Sequence, residues 1–274
     1  MGEVPMTVVL LHRLLGVREG GGRHAPLVIE HNLLFYRRFW WIILTGLFEP
    51  VFYLVAIGMG IGAMVPGVTG PAGDPISYVQ FVAPAMLAAS AMNGAVLEST
   101  TNTFVKLRFW KTFEGMLATP LRPLDIAVGE ITFSQLRGFM YATAFLGFAV
   151  LLGAIPSWWG LLALPAAMLV GFAFSAVGTA AATWIRDWQD NELVQVVVLP
   201  LFLLSATFFP LEVYPDPVQP LVQLSPLYHG VALVRGLTLG VIDASLLVHV
   251  GYLVAMMVIG ATVVARRFER LLKV

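Results

Sequence analysis

The stretch RFWKTFEGMLATPLRPLD, Arg108 to Asp125, is a charged interval between two long apolar runs. The fold turns on whether it is the surface of a soluble domain or a loop at a membrane face. The chain has 274 residues, of which 58% are hydrophobic and 12% charged, with a mean hydropathy of +0.84. Soluble domains carry about 25% charged residues. Too little polar surface is present to cover a soluble core of this size, so the reading is an integral membrane protein. Within the stretch, Phe109, Phe113, Met116 and Leu117 recur at helical spacing on one face, with Arg108, Lys111 and Glu114 on another. Pro120 turns the residue before it away from helical geometry. A surface helix over about 108–118 is predicted, and Asp125 is placed to cap the segment that follows. Two readings of that helix are open. It is a membrane-surface helix without a partner, or, given Phe, Trp, Met and Arg, a docking element for a water-soluble subunit.

Working outward, runs of about 20 apolar residues, the length needed to cross a hydrocarbon layer of about 30 Å, occur six times. They are predicted at 39–63, 76–105, 126–155, 158–185, 193–209 and 244–265. Formal net charge is zero, so no overall field favours nucleic acid, and the position of the basic residues matters instead. Fourteen of the 16 Lys and Arg lie in the N-terminal segment, the 106–125 loop, the 185–192 turn and the C-terminal tail. That bias places both termini and the 108–118 helix in the cytoplasm. There is no cysteine, which excludes disulfides and thiolate metal sites. Thr7–Leu11 is too short an apolar run for a secretory signal, so the first span is expected to be an uncleaved anchor.

Two segments are predicted not to span. Residues 27–38, LVIEHNLLFYRR, place Ile29, Leu33 and Tyr36 together with Trp40 on one face, and read as an interfacial amphipathic helix leading into Trp40 and Trp41 at headgroup level. The alternative is a long start to the first span. Residues 210–239 carry prolines at 210, 215, 217, 220 and 226, too many for one spanning helix, yet stay apolar. Short broken helices dipping into the outer leaflet fit that composition.

Polar side chains inside the spans cost several kcal/mol unless paired. Glu49, Asn93, Glu130 and Arg137 are the candidates for a polar path or an intramembrane pair, either as a lining facing the bundle interior or as an ion pair of Glu130 or Glu49 with Arg137. Glu98 sits at the inner end of the second span, where water is expected nearby. His229 and His249 have no companions at ligand spacing, and neither HExxH nor GxSxG occurs, so the sequence supports no metal site and no nucleophilic catalysis. Glycines 58, 60, 62, 171 and 178 and Ser175 are read as helix-packing positions. Nor does the chain carry a phosphate-cradling loop. Its one Lys-Thr pair, Lys111-Thr112, follows Trp110 rather than a glycine. If ATP supplies the energy, another polypeptide binds it.

The order of features, with WKTFEGMLATPLRPLDIAVGE in the loop and PLFLLSATFFPLEVYPDPVQPLVQLSPLYHGVALVRGLTLG beyond it, resembles the permease subunit of ABC type-2 exporters. The strings GLFEPVFYLVAIGMGIGAMV, LATP and LYHGVALVR are most similar to nodulation-type lipo-oligosaccharide exporter permeases, with daunorubicin-type drug exporters as cousins. The resemblance covers roughly residues 25–270. It implies an all-α membrane domain over 25–274, after a tail at 1–24, in a bacterial plasma membrane. It implies no enzymatic activity in this chain, with ATP and Mg bound by two copies of a separate ABC ATPase subunit. The coupling helix that meets this subunit would use Arg108, Phe109, Trp110, Lys111, Phe113, Glu114, Met116 and Leu117. An outer re-entrant roof would include Phe208, Phe209, Pro210, Tyr214, Pro226, Tyr228 and Arg235. It further implies a second permease copy or related chain, contact with membrane lipids, and an amphiphilic substrate such as a lipo-oligosaccharide, a glycolipid or a hydrophobic drug. The competing expectation is a proton- or ion-coupled carrier in which Glu49, Glu130 and Arg137 relay charge.

Overall fold

A computed structural model of the chain describes residues 24–38, 48, 51–65, 67–71 and 73–272. Helix α1 is Ala25–Arg38, α2 Val51–Gly62, α3 Tyr78–Arg108, α4 Thr112–Leu117, α5 Pro123–Leu151 and α6 Trp158–Ala182. Then come α7 Trp188–Leu203, α8 Gln219–Leu224, α9 Pro226–Leu239 and α10 Ser245–Leu271. The strands among the described residues form a two-stranded antiparallel hairpin before α3, β1 (Val68–Thr69) with β2 (Pro75–Ile76). Two of the long helices, α3 and α5, have a clear local reason to begin where they do. Ser77 opens α3 by accepting from Gln80 N while Gln80 returns a bond to Ser77 N, which satisfies two backbone donors at once. Pro123 lies in the first turn of α5, and Asp125 accepts from Arg122 N at 2.9 Å and from His24 N at 3.0 Å.

Helices α3, α5 and α6 form the centre, with α9 and α10 packed around them. Phe81, Met86, Met92, Phe145, Phe174, Leu227 and Leu253 fill the main core. A second cluster, Val28, Phe113, Ile126, Val264 and Phe268, sits at the end where the basic residues gather, called the basic end below. Glycine lets α6 and α10 approach closely. A Cβ on Gly260 would lie 2.8 Å from the backbone of both Ala176 and Val177.

Among the described residues, three helices are long and apolar enough to cross a bilayer: Tyr78–Arg108, Trp158–Ala182 and Ser245–Leu271. The most apolar stretch of α10 has a mean hydropathy of 2.2, yet only 17% of it is buried within the chain. Such a surface suits lipid and would be unstable in water.

Several expected boundaries move. The second span continues to Arg108, through a π-helical stretch at Glu98–Asn102, because no helix breaker precedes Lys111. The expected single helix over 108–118 is therefore two pieces. Arg108 closes α3, Phe109 and Trp110 turn, and Lys111 takes left-handed geometry (φ 52°) before α4 begins. The fifth segment, expected at 193–209, forms a helix at 188–203 instead. Asp187 caps it by accepting from Asp190 N, and Asp190 accepts from Arg186 N, so RDWQDN is a helix start rather than only a turn. The other three long segments shift by a few residues, to 123–151, 158–182 and 245–271. The 210–239 region contains a turn of 3₁₀ helix at Leu211–Val213 followed by α8 and α9.

Candidate functional site

At the basic end, α4 hangs on two buried side chains. Phe113 is 1% exposed and packs 5.6 Å (ring centroids) from Phe268, and Met116 lies in the same cluster. The opposite surface is open, with Trp110 57% exposed and Arg108, Lys111 and Glu114 exposed beside it. Phe109 is half-exposed and joins an aromatic group with Phe104 and Trp188, at centroid separations of 5.4–5.6 Å. The eight residues predicted to contact a partner thus divide. Phe113 and Met116 anchor the helix inward, because one turn is too short to keep two large apolar groups in water. Leu117 is half-buried, and Arg108, Phe109, Trp110, Lys111 and Glu114 form the outward face. Beside it, Leu107, Leu117, Pro123, Leu271 and Leu272 line a cavity of about 590 Å³ between α4, α5 and α10.

Behind this knob lies a buried ion pair. Lys106 Nζ donates to Glu130 Oε2 at 2.8 Å, to Glu130 Oε1 at 3.1 Å and to Asn32 Oδ1 at 2.9 Å. Asn32 Nδ2 donates to Glu130 Oε1 at 3.1 Å. All three ammonium protons are used, and the Phe133 ring lies 5.8 Å away. One residue comes from each of α1, α3 and α5, so the network ties the amphipathic helix to the helix that leads into α4. Among the described residues the cation holding Glu130 is Lys106; the side chain of Arg137, the partner expected from the sequence, lies outside the described residues together with Glu49 and Trp40–Trp41. The charge count places Lys106 with the loop residues. It is 5% exposed because α3 runs past it. Glu98, expected beside water, is also buried and accepts from Asn102. The sequence signal for both was periodicity: 98, 102 and 106 share one face of α3. On α1 the buried face is Ala25, Val28 and Asn32, with Val28 against Gly129, whereas Leu33 is exposed.

The opposite end is closed by the proline-rich segment. Arg235 is buried, donates to Phe81 O at 3.2 Å and to Ala206 O at 2.9 Å, and lies 3.9 Å from the centroid of the Phe81 ring. Burial draws its pKa down to about 9, so it stays charged at neutral pH. Tyr78 Oη donates to Phe208 O and Tyr214 Oη to Leu203 O, and Ser205 bonds Ser225. Phe208 is buried and Phe209 half-exposed, while Pro210, Tyr214 and Pro226 are half-buried between them. The chain reverses at Gly240 (φ 79°), and the reversal brings together two histidines that spacing had left apart. His229 Nδ1 and His249 Nδ1 are 2.8 Å apart, the Tyr252 ring stacks on His229, and Tyr228 meets both imidazoles edge-on. Among the described residues no three potential metal ligands converge.

Burial, and then the facing His249, hold His229 below the ordinary histidine value. The Gln223 carbonyl opposes this. A depressed folded-state value means that the unfolded chain binds the proton more readily, so stability is lost as pH falls through the unfolded value of about 6.5. Purified protein is expected to melt at lower temperature at pH 5.5 than at 7.5, and His229→Gln should flatten that difference. An unchanged difference would show that other groups set it.

At bilayer depth a smaller cavity of about 380 Å³ lies between α2, α3 and α7, with Tyr53, Asn93 and Gln195 as its polar lining. Most of α7 is exposed: Leu193, Val196, Val197 and Leu199 all face outward.

Long apolar helices, an amphipathic helix pinned to them and a small knob at the basic end define a helical membrane protein rather than a water-soluble domain. The family model for the ABC-2 type transporter matches residues 27–239, and the chain belongs to that family as a permease. It is 32% identical to nodulation protein J of Rhizobium leguminosarum bv. viciae over 83% of this chain and 88% of that one. The corresponding protein of Sinorhizobium fredii is 36% identical over 70% and 72%. A probable doxorubicin resistance ABC transporter permease protein of Mycobacterium tuberculosis is 24% identical over 79% and 78%.

Proposed function

We propose that the chain is the membrane half of an ATP-driven exporter with six spans and both termini in the cytoplasm of a bacterium. The permease works as two copies, or with a related chain, on two separate ATPase subunits. The observation that carries this reading is the architecture of the knob. Its outward face presents Arg108, Phe109 and Trp110, residue types enriched at binding surfaces, beside the charges of Lys111 and Glu114, and its inward face, Phe113 and Met116, is locked to α10 through Phe268. A push on α4 is thereby delivered to the spans as a rigid-body movement, the kind of switch packed interfaces permit. The doxorubicin resistance in one relative's name supports a hydrophobic drug as cargo, and the resemblance of the sequence strings to lipo-oligosaccharide exporters supports a lipo-oligosaccharide or glycolipid, in either case moved outward from the inner leaflet. The exposed Leu27 and Leu34 of α1 offer a lateral entry. As a proton relay Glu130 is disfavoured, because Lys106 and Asn32 already occupy both carboxylate oxygens.

The test is co-purification and vesicle transport. Glu114→Lys combined with Trp110→Ala should reduce recovery of the ATPase about tenfold or more, as loss of an interface anchor does. Phe113 is the wrong probe, since its replacement would damage the fold first. Transport should require ATP and survive an uncoupler. Intact recovery of the ATPase by the double variant, or collapse of transport on adding the uncoupler, would overturn the proposal.

A further inference from the structure

Two imidazoles meet at the end opposite the basic residues. His229 stands near the start of α9 and His249 near the start of α10, 20 residues apart in sequence. Gly240 turns the chain back with a left-handed φ of 79°, and the reversal brings the two Nδ1 atoms to 2.8 Å. Both rings are held where they are. The Tyr252 ring stacks on His229 at a centroid distance of 3.9 Å and an angle of 18°, and Tyr228 meets His229 and His249 edge-on at 5.7 and 6.0 Å. Tyr252 Oη donates to Leu224 O at 2.8 Å, which fixes the stacked ring against the end of α8. His229 is buried and His249 half-buried, so the pair is ordered by the fold yet within reach of ions in solution. Two neutral imidazoles so placed share one proton between their Nδ1 atoms. Moving that proton to Nε2 of its own ring leaves two lone pairs aimed at one point, with no net proton released. Zinc binds imidazole nitrogen at about 2.0–2.1 Å, so two nitrogens at a tetrahedral angle lie about 3.3 Å apart. The pair is about 0.5 Å short of that separation, a small rotation of two side chains.

We infer that His229 and His249 form a two-imidazole site for a borderline divalent cation of the zinc, nickel and copper type, and that the cation clamps α9 to α10. Imidazole suits these cations, whereas Mg²⁺ and Ca²⁺ call for several oxygen ligands. No third His, Cys, Asp or Glu converges on the pair among the described residues, so water completes the coordination and binding is reversible. The cation closes a loop of 20 residues that contains the Gly240 reversal. It thereby holds α9, whose Arg235 already ties Phe81 and Ala206 together, against the last long helix. Neither an ATPase nor a cargo is needed for this binding, so the inference stands apart from the transport reading.

The experiment uses the full-length permease in lipid nanodiscs, carrying no polyhistidine tag and stripped of metal by a chelator. Adding about 100 μM Zn²⁺ should raise the thermal midpoint by about 2–4 °C, since a ligand that binds the folded state alone stabilises it. The same concentration of Mg²⁺ should leave the midpoint unchanged. Hydrogen exchange in Zn²⁺ should slow at the backbone amides of 225–252 and stay as it was in α1, which carries the exposed His31. His229→Gln and His249→Gln each leave one ligand, and should weaken the apparent Zn²⁺ affinity by more than about tenfold, the least that loss of even an outer partner commonly costs. His31→Gln should bind as the parent does. The absence of any Zn²⁺ effect on the parent would overturn the inference and leave the pair a hydrogen bond only. A shift kept in full by His229→Gln, an equal shift with Mg²⁺, or protection confined to other segments would overturn it as well. Should a histidine variant misfold, the parent's response to Zn²⁺ against Mg²⁺ and the place of the protected amides still decide.

Discussion

Lys106→Met is expected to cost about 3–5 kcal/mol of folding stability, the usual penalty for removing one partner of a buried ion pair. The Glu130 carboxylate would be left with Asn32 as its nearest donor and no counter-charge, under a surface that admits almost no water. Glu130→Leu should cost a similar amount, because it strands the ammonium instead. The informative variant is the double replacement Lys106→Met with Glu130→Leu. Exchanging both charges for apolar groups of similar volume removes the desolvation cost together with the attraction, and is commonly neutral or stabilising. It should therefore recover most of the loss in thermal unfolding while severing the link between α1, α3 and α5. If the single variant melts like the parent, the pair is exposed to water and the geometry of the basic end is wrong. If the double variant is stable but no longer couples ATP use to transport, the pair serves to transmit movement from the knob rather than to hold the fold.

A second large effect is expected at Gly260. A side chain there meets the Ala176 and Val177 backbone at 2.8 Å, and backbone cannot swing aside as a flexible side chain can. Gly260→Leu should force α10 away from α6 along their whole contact, at a cost of about 3 kcal/mol or more. The effect should appear as poor recovery of folded protein and a lowered midpoint. The control is on the same helix: a Cβ on Gly251 meets nothing within 4 Å, so Gly251→Leu should be tolerated and gain helix propensity. Equal behaviour of the two variants would contradict the α6–α10 packing.

The same positions show what the sequence made legible. Long apolar runs and clustered basic residues are one-dimensional patterns, and they located a helical membrane protein, the pinned amphipathic helix and the knob. Lys106 escaped because a count of basic residues treats each as facing water, whereas α3 continues to Arg108, three residues beyond the expected end of the span. Lys111 takes a left-handed conformation that glycine usually marks and lysine does not. The proximity of His229 and His249 depends on the reversal at Gly240, a three-dimensional fact with no ligand spacing to announce it. Asn93 stood out as a polar group at depth, but Tyr53 and Gln195 join it only once α2 and α7 are placed beside α3.

The unequal lengths of α7 and α10 carry a consequence for how the protein sits among lipids. The 16 residues of α7 reach about 24 Å and the 27 of α10 about 40 Å, against a hydrocarbon thickness of about 30 Å. Were α7 to span, lipids beside it would compress by about 6 Å, and such deformation costs a fraction of a kcal/mol for each ångström. Two copies meeting along α7 would remove the pinched annulus, so elastic relaxation of the bilayer itself would favour their association, and thicker membranes would strengthen it.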